Sequence, residues 1–296
     1  MKNRRGKRLR QSKRKPSSRV FSWLLNKAPF IDKIVLSVDG KLKPNFEEEL
    51  QHYKNSGIST RDSLYSRAVS GRFWLSGNPV ELLYGRKKNF KNVPALRITM
   101  RSERIPLTAA QVRLLIERLV VALPQIRDSL VEFTFDVTGV TIDYVRQHII
   151  HRAKNDARVL SDGKRMTIYV GSPRSAWEVR IYEKTRSGVL RLEFILRRSF
   201  LSRWGINLPE DVLLLRKLNV WDLLSIRRFS GSNAARVTRT WANGLGKELV
   251  LTWGKYRRPL RLLPRILKNH GVRPHQVLRR TSLQRKLEAM QLRFLW

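Results

Sequence analysis

Acidic, basic and tyrosine side chains alternate with apolar residues along four short segments, Leu130–Val137, Arg165–Val170, Ala176–Lys184 and Val189–Leu196. Because side chains alternate across an extended strand, each segment has one mainly apolar side and one polar side. The polar sides carry Glu132, Asp136, Tyr169, Glu178, Arg180, Tyr182, Lys184, Arg191 and Glu193. If the four strands share a sheet, these residues lie together on one face.

Such a face has the groups needed to cleave a phosphodiester. Carboxylate oxygens are the ligands that Mg²⁺ and Mn²⁺ prefer, and a bound metal would polarise a phosphodiester oxygen. A tyrosine phenolate could attack phosphorus and keep the cleaved end attached, while Arg and Lys offset charge in the transition state. Glu132 and Asp136 would lie about 13 Å apart along an extended strand, so a shared metal requires a bulge or bend. The alternative is a solvated outer face with cross-strand ion pairs, which needs no chemistry.

Hairpins with attached helices surround these residues in the sequence. Gly171–Ser175 and Arg186–Gly188 are predicted turns between three successive strands. Thr141–Ala153 is predicted as an amphipathic helix, and Thr108 as the cap of a helix that reaches about Leu123 and is ended by Pro124. This arrangement indicates an α+β fold, with an antiparallel sheet and flanking helices.

The rest of the chain gives coarser predictions. Strands are expected at Phe30–Val38, ending at an Asp39–Gly40 turn, and at Ala95–Met100, with strands and loops in Arg61–Lys88 and helices at Asn45–Asn55, Pro209–Leu218 and Val220–Ile226. Residues 255–296 are very basic and are predicted to be partly helical. We therefore expect a disordered basic tail (1–19), an α+β catalytic or DNA-binding domain (20–235) and a basic, mainly helical C-terminal region (236–296).

The charge of the chain restricts its partners. There are 61 Lys and Arg against 23 Asp and Glu, giving a formal net charge of +38 and a pI near 11.6. A surplus of this size attracts polyanions: DNA, RNA or an anionic membrane. No apolar run reaches the roughly 18–20 residues that span a bilayer, so we predict no membrane partner. Cysteine is absent, which excludes disulfides and Cys-based zinc sites and suits a reducing compartment.

The first residues, Met1–Arg19, are mostly Lys, Arg and Ser and contain no acid. They are typical of a disordered tail that binds phosphate without reading sequence. An organellar transit peptide is the alternative for this composition.

Three short motifs follow one another in the middle of the chain. They are Thr167-Ile-Tyr-Val-Gly-Ser-Pro-Arg-Ser175, Val179-Arg-Ile-Tyr-Glu-Lys184 and Leu190-Arg-Leu-Glu-Phe194. Together with the acids four residues apart at Glu132 and Asp136, this order resembles the Rep-trans type replication initiation factors of rolling-circle plasmids, some phages and integrative elements. The resemblance covers about residues 125–200.

The resemblance implies a replication initiator that nicks a DNA origin, with a tyrosine linked to the 5′ phosphate with the help of Mg²⁺ or Mn²⁺. Tyr182 is the first choice of nucleophile and Tyr169 the second. The implied metal ligands are Asp136, Glu193 and Glu132, and the implied phosphate-binding residues are Arg180, Lys184 and Arg191. The implied partners are the double-stranded origin and its exposed single strand in the cytoplasm, at the nucleoid; a homodimer and a host helicase stay open.

Other signatures are missing from the sequence. There is no His-apolar-His pair on a strand, and His148 and His151 fall within a predicted helix, where one exposed helix face explains them better than a metal site. No G-x-x-x-x-G-K-[ST] loop is present, which argues against ATP-driven unwinding by this chain. The runner-up function is a non-catalytic nucleic-acid-binding protein on the same scaffold, followed by an RNA-binding or organellar role.

Overall fold

The computed structural model describes residues 28–55, 64–73, 75–90, 92–103, 105–151, 157–161, 166–184, 188–229, 278–294 and 296. The segment Met1–Arg19 and residues 231–277 lie outside this part of the chain. The predicted tail and the three-region division of the chain therefore stay predictions.

Strands predominate in the described residues. The strands are β1 (Phe30–Leu42), β2 (Leu50–Asn55), β3 (Tyr65–Phe73), β4 (Pro79–Arg86), β5 (Leu96–Arg101), β6 (Val120–Thr138), β7 (Ile149–His151), β8 (Arg158–Ser161), β9 (Met166–Gly171), β10 (Trp177–Glu183), β11 (Val189–Arg197), β12 (Leu224–Phe229) and β13 (Leu278–Arg280). The α-helices are α1 (Ala109–Leu119), α2 (Ile142–His148), α3 (Arg198–Arg203) and α4 (Ser282–Gln291), and 3-10 helices cover Phe46–Glu49, Pro209–Arg216 and Val220–Asp222.

Ten of these strands form one sheet in the order β2-β3-β4-β5-β1-β6-β11-β10-β9-β8. Every neighbouring pair is antiparallel. The long strands β1 and β6 lie at the centre and join two meanders, β2–β5 on one side and β8–β11 on the other. The predicted α+β fold with an antiparallel sheet and flanking helices is confirmed.

The core lies against one face of this sheet. On β6, Val131, Phe133, Phe135 and Val137 are fully buried, as their alternation predicts. The helices α1, α2 and α4 contribute their apolar residues to the same core cluster. Thr108 caps α1 as predicted: its hydroxyl accepts a hydrogen bond from the Gln111 backbone, and the Gln111 side chain accepts one from the Thr108 backbone.

Aromatic rings fill the centre of the core beneath β6. Phe133 makes edge-to-face contacts with Phe135 and with Phe294, at 5.0 Å between centroids in both cases. Trp221, which its apolar surroundings in the sequence assign to packing, is buried against Phe135 and Phe194. Phe294 and α4 thus complete the core under the strand that carries Glu132 and Asp136.

Two predicted helices end early because their chains join a second, three-stranded sheet in the order β13-β12-β7. The predicted helix Thr141–Ala153 is helical only as far as His148, after which Ile149 and Ile150 pair with β12. The predicted helix Val220–Ile226 is a short 3-10 helix followed by β12. Both predictions were wrong at their C-terminal ends, since β-branched residues took up strand pairing that local periodicity does not reveal.

The predicted helix at Asn45–Asn55 is also wrong. Only Phe46–Glu49 is helical, as a 3-10 turn, and β2 then pairs with β3. The predicted turn at Asp39–Gly40 is instead a register shift within β1, which continues to Leu42. In both places pairing with another strand, β3 for the first and β6 for the second, overrides the local signal.

The helix predicted to end at Pro124 ends at Leu119, and β6 begins at Val120. Pro124 lies within β6, where the register with β1 shifts between Gln125 and Val121. A proline fits a sheet at such an irregularity because it has no amide hydrogen to donate.

No helix in the described residues is long and apolar enough to cross a membrane.

Candidate active site on the polar face of the sheet

Strand register brings the predicted polar residues together. Tyr182 of β10 is opposite Arg191 of β11, and Arg191 is opposite Asp136 of β6. In the next row, Arg180 is opposite Glu193. The four strands β6, β11, β10 and β9 are consecutive in the sheet, so the condition on which the sequence prediction depended is met.

Arg191 is the centre of this cluster. Its Nε and Nη2 donate to Oδ1 and Oδ2 of Asp136 at 2.7 and 2.9 Å, and its Nη1 donates to Oδ1 of Asp32 at 3.2 Å. Glu193 Oε1 lies 3.8 Å from Nη1. The side chain of Arg191 is only 9% exposed. Burial opposes its charge, but the hydrogen bonds and charge of Asp136, with the charge of Asp32, outweigh burial and raise the pKa of Arg191.

The carboxylates around Arg191 differ in their protonation equilibria. Burial acts to raise the pKa of Asp136, but the hydrogen bonds and charge of Arg191, with Lys184 at 3.5 Å, hold that pKa below its usual value. Burial raises the pKa of Asp32 and of Glu193, and the charge of Glu132 adds to the effect at both. Four acids therefore influence one another across three strands, with one arginine between them.

Tyr182 points its hydroxyl at Glu193. The phenol donates to Glu193 Oε1 at 2.5 Å. Burial, followed by the hydrogen bond and charge of Glu193, raises the pKa of Tyr182 above its ordinary value, although Arg191 acts against the shift. Tyr182 is therefore a neutral phenol with a carboxylate placed to accept its proton.

Tyr169 is placed differently. It lies on β9 opposite Arg180, and the guanidinium of Arg158 stacks over its ring at 5.6 Å from the centroid. Within the described part of the chain its hydroxyl makes no hydrogen bond. Tyr182 is thus the better placed of the two tyrosines for proton transfer.

The remaining predicted residues surround the Arg191 cluster. Glu132 forms an ion pair with Lys33 of β1 at 3.1 Å, so it is bound to a different cation from Asp136. Arg180 donates to Glu178 at 3.1 Å, and Arg197 binds the other oxygen of this buried carboxylate at 2.9 Å. Arg180 therefore lies one row from Tyr182 and is held in place by the Glu178 carboxylate, one row further on.

Sequence reasoning missed Asp32. This residue lies on β1, the other neighbour of β6, and reaches Arg191 from a position 159 residues earlier in the chain. A signal was present in the sequence, because the apolar residues Ile31 and Ile34 are three positions apart. Both are fully buried in the structure. Two core residues three positions apart break the alternation of a strand, and the register does shift between Ile31 and Lys33.

The divalent metal that the sequence predicts would have to bind among these side chains. Their carboxylate oxygens suit Mg²⁺ or Mn²⁺ in kind. The arrangement does not suit a metal, since Arg191 occupies both oxygens of Asp136 and Tyr182 occupies Oε1 of Glu193. No group of three or more acids, histidines or cysteines in the described ranges is arranged to hold a metal ion. Arg191 supplies the positive charge at the centre of the cluster.

Comparison with known proteins gives little further information. No family model matches the sequence, and no curated protein matches it. Three chains of solved structures match, and one of them is described as a rolling circle replication initiator protein from Geobacillus stearothermophilus. That likeness has 15% sequence identity and a TM-score of 0.44, and it covers 69% of this chain and 88% of the other. A likeness of this degree assigns neither a family nor an activity.

Proposed function

We propose that this chain is a DNA strand transferase of the replication-initiator kind, which nicks one strand through Tyr182. The observation that carries the proposal is the hydrogen bond from the Tyr182 hydroxyl to Glu193 at 2.5 Å, beside the buried Arg191. A nucleophile paired with a base, and a fixed cation next to both, are the parts that phosphodiester cleavage needs. The net charge of +38 supports a polyanionic substrate.

The chemistry begins with Tyr182 as a neutral phenol. Glu193 is the base, and the burial that raises its pKa makes it a better proton acceptor. As the phenol oxygen bonds to phosphorus, its proton moves to Glu193 and the bond from phosphorus to the 3′ oxygen breaks. The 3′ oxygen leaves and takes a proton from solvent. The products are a 5′-phosphotyrosine ester and a free 3′ hydroxyl.

The cations near Tyr182 stabilise the charge on the phosphate. Lys184, 3.5 Å from Asp136 and 39% exposed, and Arg180, 36% exposed, are cations near Tyr182 that incoming DNA can reach. Arg191 and Arg180 are held more firmly, by Asp136 and Glu178. A phosphate at Tyr182 would compete with these carboxylates for guanidinium donors.

The divalent cation and the partners stay predictions. Mg²⁺ or Mn²⁺ held by Asp136, Glu193 and Glu132 would require bound DNA first to draw Arg191 and Tyr182 away from their carboxylate oxygens, and no step above is routed through a metal. The proposal also includes the double-stranded origin and its exposed single strand as substrates.

The test is an assay for a protein–DNA adduct that survives denaturation. Supercoiled DNA from the genetic surroundings of the coding sequence is incubated with the protein plus Mn²⁺, Mg²⁺ or a chelator. We expect an adduct that Tyr182→Phe abolishes and that Tyr169→Phe and the control Tyr144→Phe retain. Tyr144 is a suitable control because it stacks on His148 of α2, away from the cluster. Loss in Tyr169→Phe alone would transfer the nucleophile role to Tyr169.

A second candidate function is DNA binding without cleavage. It is favoured by the pairing of Asp136, Glu132 and Glu178 with cations, because ion pairs alone explain such a polar face. Under this reading, tight DNA binding gives no adduct under any metal condition, and Tyr182→Phe binds DNA as well as the unchanged protein.

A further inference from the structure

A polar cavity, separate from the Arg191 cluster, opens on the same side of the sheet as Tyr182. Its volume is about 400 Å³, and three arginines line it: Arg86 from β4, Arg127 from β6 and Arg198 from α3. Three different elements therefore direct guanidinium groups into one recess. None of these residues belongs to the Arg191 cluster.

The strand pattern shows that the cavity and the cluster share a face. Ser37 and Asp39 of β1 line the cavity. The residues that alternate with them, Leu36 and Val38, are fully buried in the core on the other face of the sheet. Asp32, which binds Arg191, lies on that same polar side of β1. The two sites are five to seven residues apart along β1, or roughly 16–23 Å at about 3.3 Å per residue.

The electrostatics of the cavity favour an anion. Its lining has three guanidinium groups and one carboxylate, and Oδ1 of that carboxylate, Asp39, already accepts the Ala95 amide at 3.1 Å. Arg86 is oriented by a bond to the Val93 carbonyl at 3.1 Å, and Arg198 by a longer one to the Asp128 carbonyl at 3.4 Å. Arg127 is exposed and makes no ion pair or hydrogen bond with any described residue. A guanidinium has five N–H donors, so Arg198, with its single backbone contact, has donors left for a ligand, as does Arg127.

We infer that this cavity binds a backbone phosphate of the same DNA single strand whose scissile phosphate lies at Tyr182. This inference rests on the proposed function in one respect, that the bound strand continues to Tyr182. The anion site itself does not depend on the proposed function. Planar arginine forks match phosphate oxygens well. A recess of about 400 Å³ has room for one nucleotide unit. The separation equals about five to seven steps of B-form DNA at 3.4 Å per step, and fewer steps of a stretched strand.

The experiment measures binding without cleavage. Fluorescence anisotropy of a labelled DNA single strand is recorded over a salt series in the Tyr182→Phe background, with and without Arg127→Ala or Arg127→Ala plus Arg198→Ala. Arg285→Ala is the matched control, because Arg285 is exposed on α4 and its loss removes the same charge. Arg127→Lys keeps the charge but removes the fork.

A phosphate bound in the cavity contributes about 0.7 to the slope of log affinity against log salt. We expect Arg127→Ala to lower that slope by about this amount, the double variant to lower it at least as much, and Arg285→Ala to change it by much less. Arg127→Lys should keep the slope and lose affinity by several-fold. Equal effects of Arg127→Ala and Arg285→Ala would overturn the inference, since charge in general would then explain both.

Two further results separate the sources of the anion. Inorganic phosphate, added at matched ionic strength, should compete weakly with a strand that fills the cavity. If it saturates the cavity with the strand still fully bound, the site takes free phosphate and the inference is wrong. Because all measurements use Tyr182→Phe, a chain that never forms an adduct could still show the Arg127 effect. Failure of the nicking proposal and failure of this one are therefore distinguishable.

Discussion

Arg191 and Asp136 face each other across the β11–β6 pair and are joined by two parallel hydrogen bonds, from Nε to Oδ1 at 2.7 Å and from Nη2 to Oδ2 at 2.9 Å. Both side chains are about 10% exposed. Asp32 and Glu193 share the same guanidinium from two further directions. Acids on three strands thus share one buried cation, which links the stability of the sheet centre to the candidate active site.

Replacing Arg191 by Ala should destabilise the protein strongly. Two nearly buried carboxylates, Asp136 and Glu193, and the half-buried Asp32 would lose their shared counter-ion, and breaking a buried pair in this way costs about 3–5 kcal/mol. Chemical denaturation measures the free energy of unfolding. Arg118→Ala is the control, since it removes an exposed partner of Glu49 at 3.8 Å, a contact worth at most about 1 kcal/mol. If Arg191→Ala lowers the free energy of unfolding by less than about 1 kcal/mol, water already screens the charges of the carboxylates.

Ionisation of Asp128 should lower the free energy of unfolding as the pH rises toward neutral. Its side chain is fully buried, and neither carboxylate oxygen has a hydrogen-bond partner among the described residues. Burial, with the charges of Asp211 and Glu210, raises the pKa of Asp128 to about 7, against a small opposing effect of Arg198. The unfolded chain ionises near the ordinary value of 3.8, so stability falls as pH rises from about 4 through 7, by about 1.4 kcal/mol per unit.

Asp128→Asn removes this titration. We expect the variant to be a few kcal/mol more stable than the unchanged protein at pH 8, with the advantage shrinking toward pH 4. Thermal or urea unfolding across that range measures it. Asp143→Asn, at an exposed residue of α2 paired with Arg146 at 3.9 Å, should change stability little at either pH. An advantage for Asp128→Asn that is the same at both pH values would contradict the raised pKa.

Gly171 should not tolerate a side chain. Its φ is +91°, and a Cβ there would lie 2.8 Å from the backbone oxygen of Trp177. Gly205 also has a positive φ, +73°, but has open space around it. Gly205→Ala therefore measures backbone strain alone, about 1–2 kcal/mol, and Gly171→Ala should cost roughly 1–3 kcal/mol more through overpacking. Equal losses of unfolding free energy would mean that the β9–β10 turn opens to admit the methyl group.

Glu193→Gln should make Tyr182 ionise more readily. The change removes a negative charge and keeps the burial, so the pKa of Tyr182 moves back toward its usual value of 10 without reaching it. In the unchanged protein the raised pKa means that Tyr182 stabilises the fold below about pH 10, and this contribution is lost as pH rises further. NMR of ring-labelled tyrosines reports the titration, and Tyr182→Phe assigns the signal. An unchanged pKa in Glu193→Gln would show that burial alone causes the shift.

Most of the candidate site could be predicted from the sequence, because its strands are consecutive in the chain. β9, β10 and β11 follow one another through short turns, so alternation alone places Tyr182, Arg191 and Glu193 on one face. Asp32 could not be placed in this way, because its strand pairs with β6 from about one hundred residues away. The predicted helix Thr141–Ala153 failed at its end for the same reason, since β7 pairs with β12 more than seventy residues later, whereas in Asn45–Asn55 pairing with the next strand, β3, overrides the local signal.

The contact between Phe133 and Phe294 also determines when, during translation, the core beneath β6 can be completed. Phe294 leaves the ribosome 161 residues after Phe133, which at roughly 5–20 residues per second is a delay of about 8–32 s. During that interval the apolar side of β6 lacks the Phe294 ring that completes its core. The nascent protein would therefore complete the packing beneath β6 only after residues 278–294 have emerged, and the Arg191 cluster on the opposite face would be held by a fully packed strand only from then on.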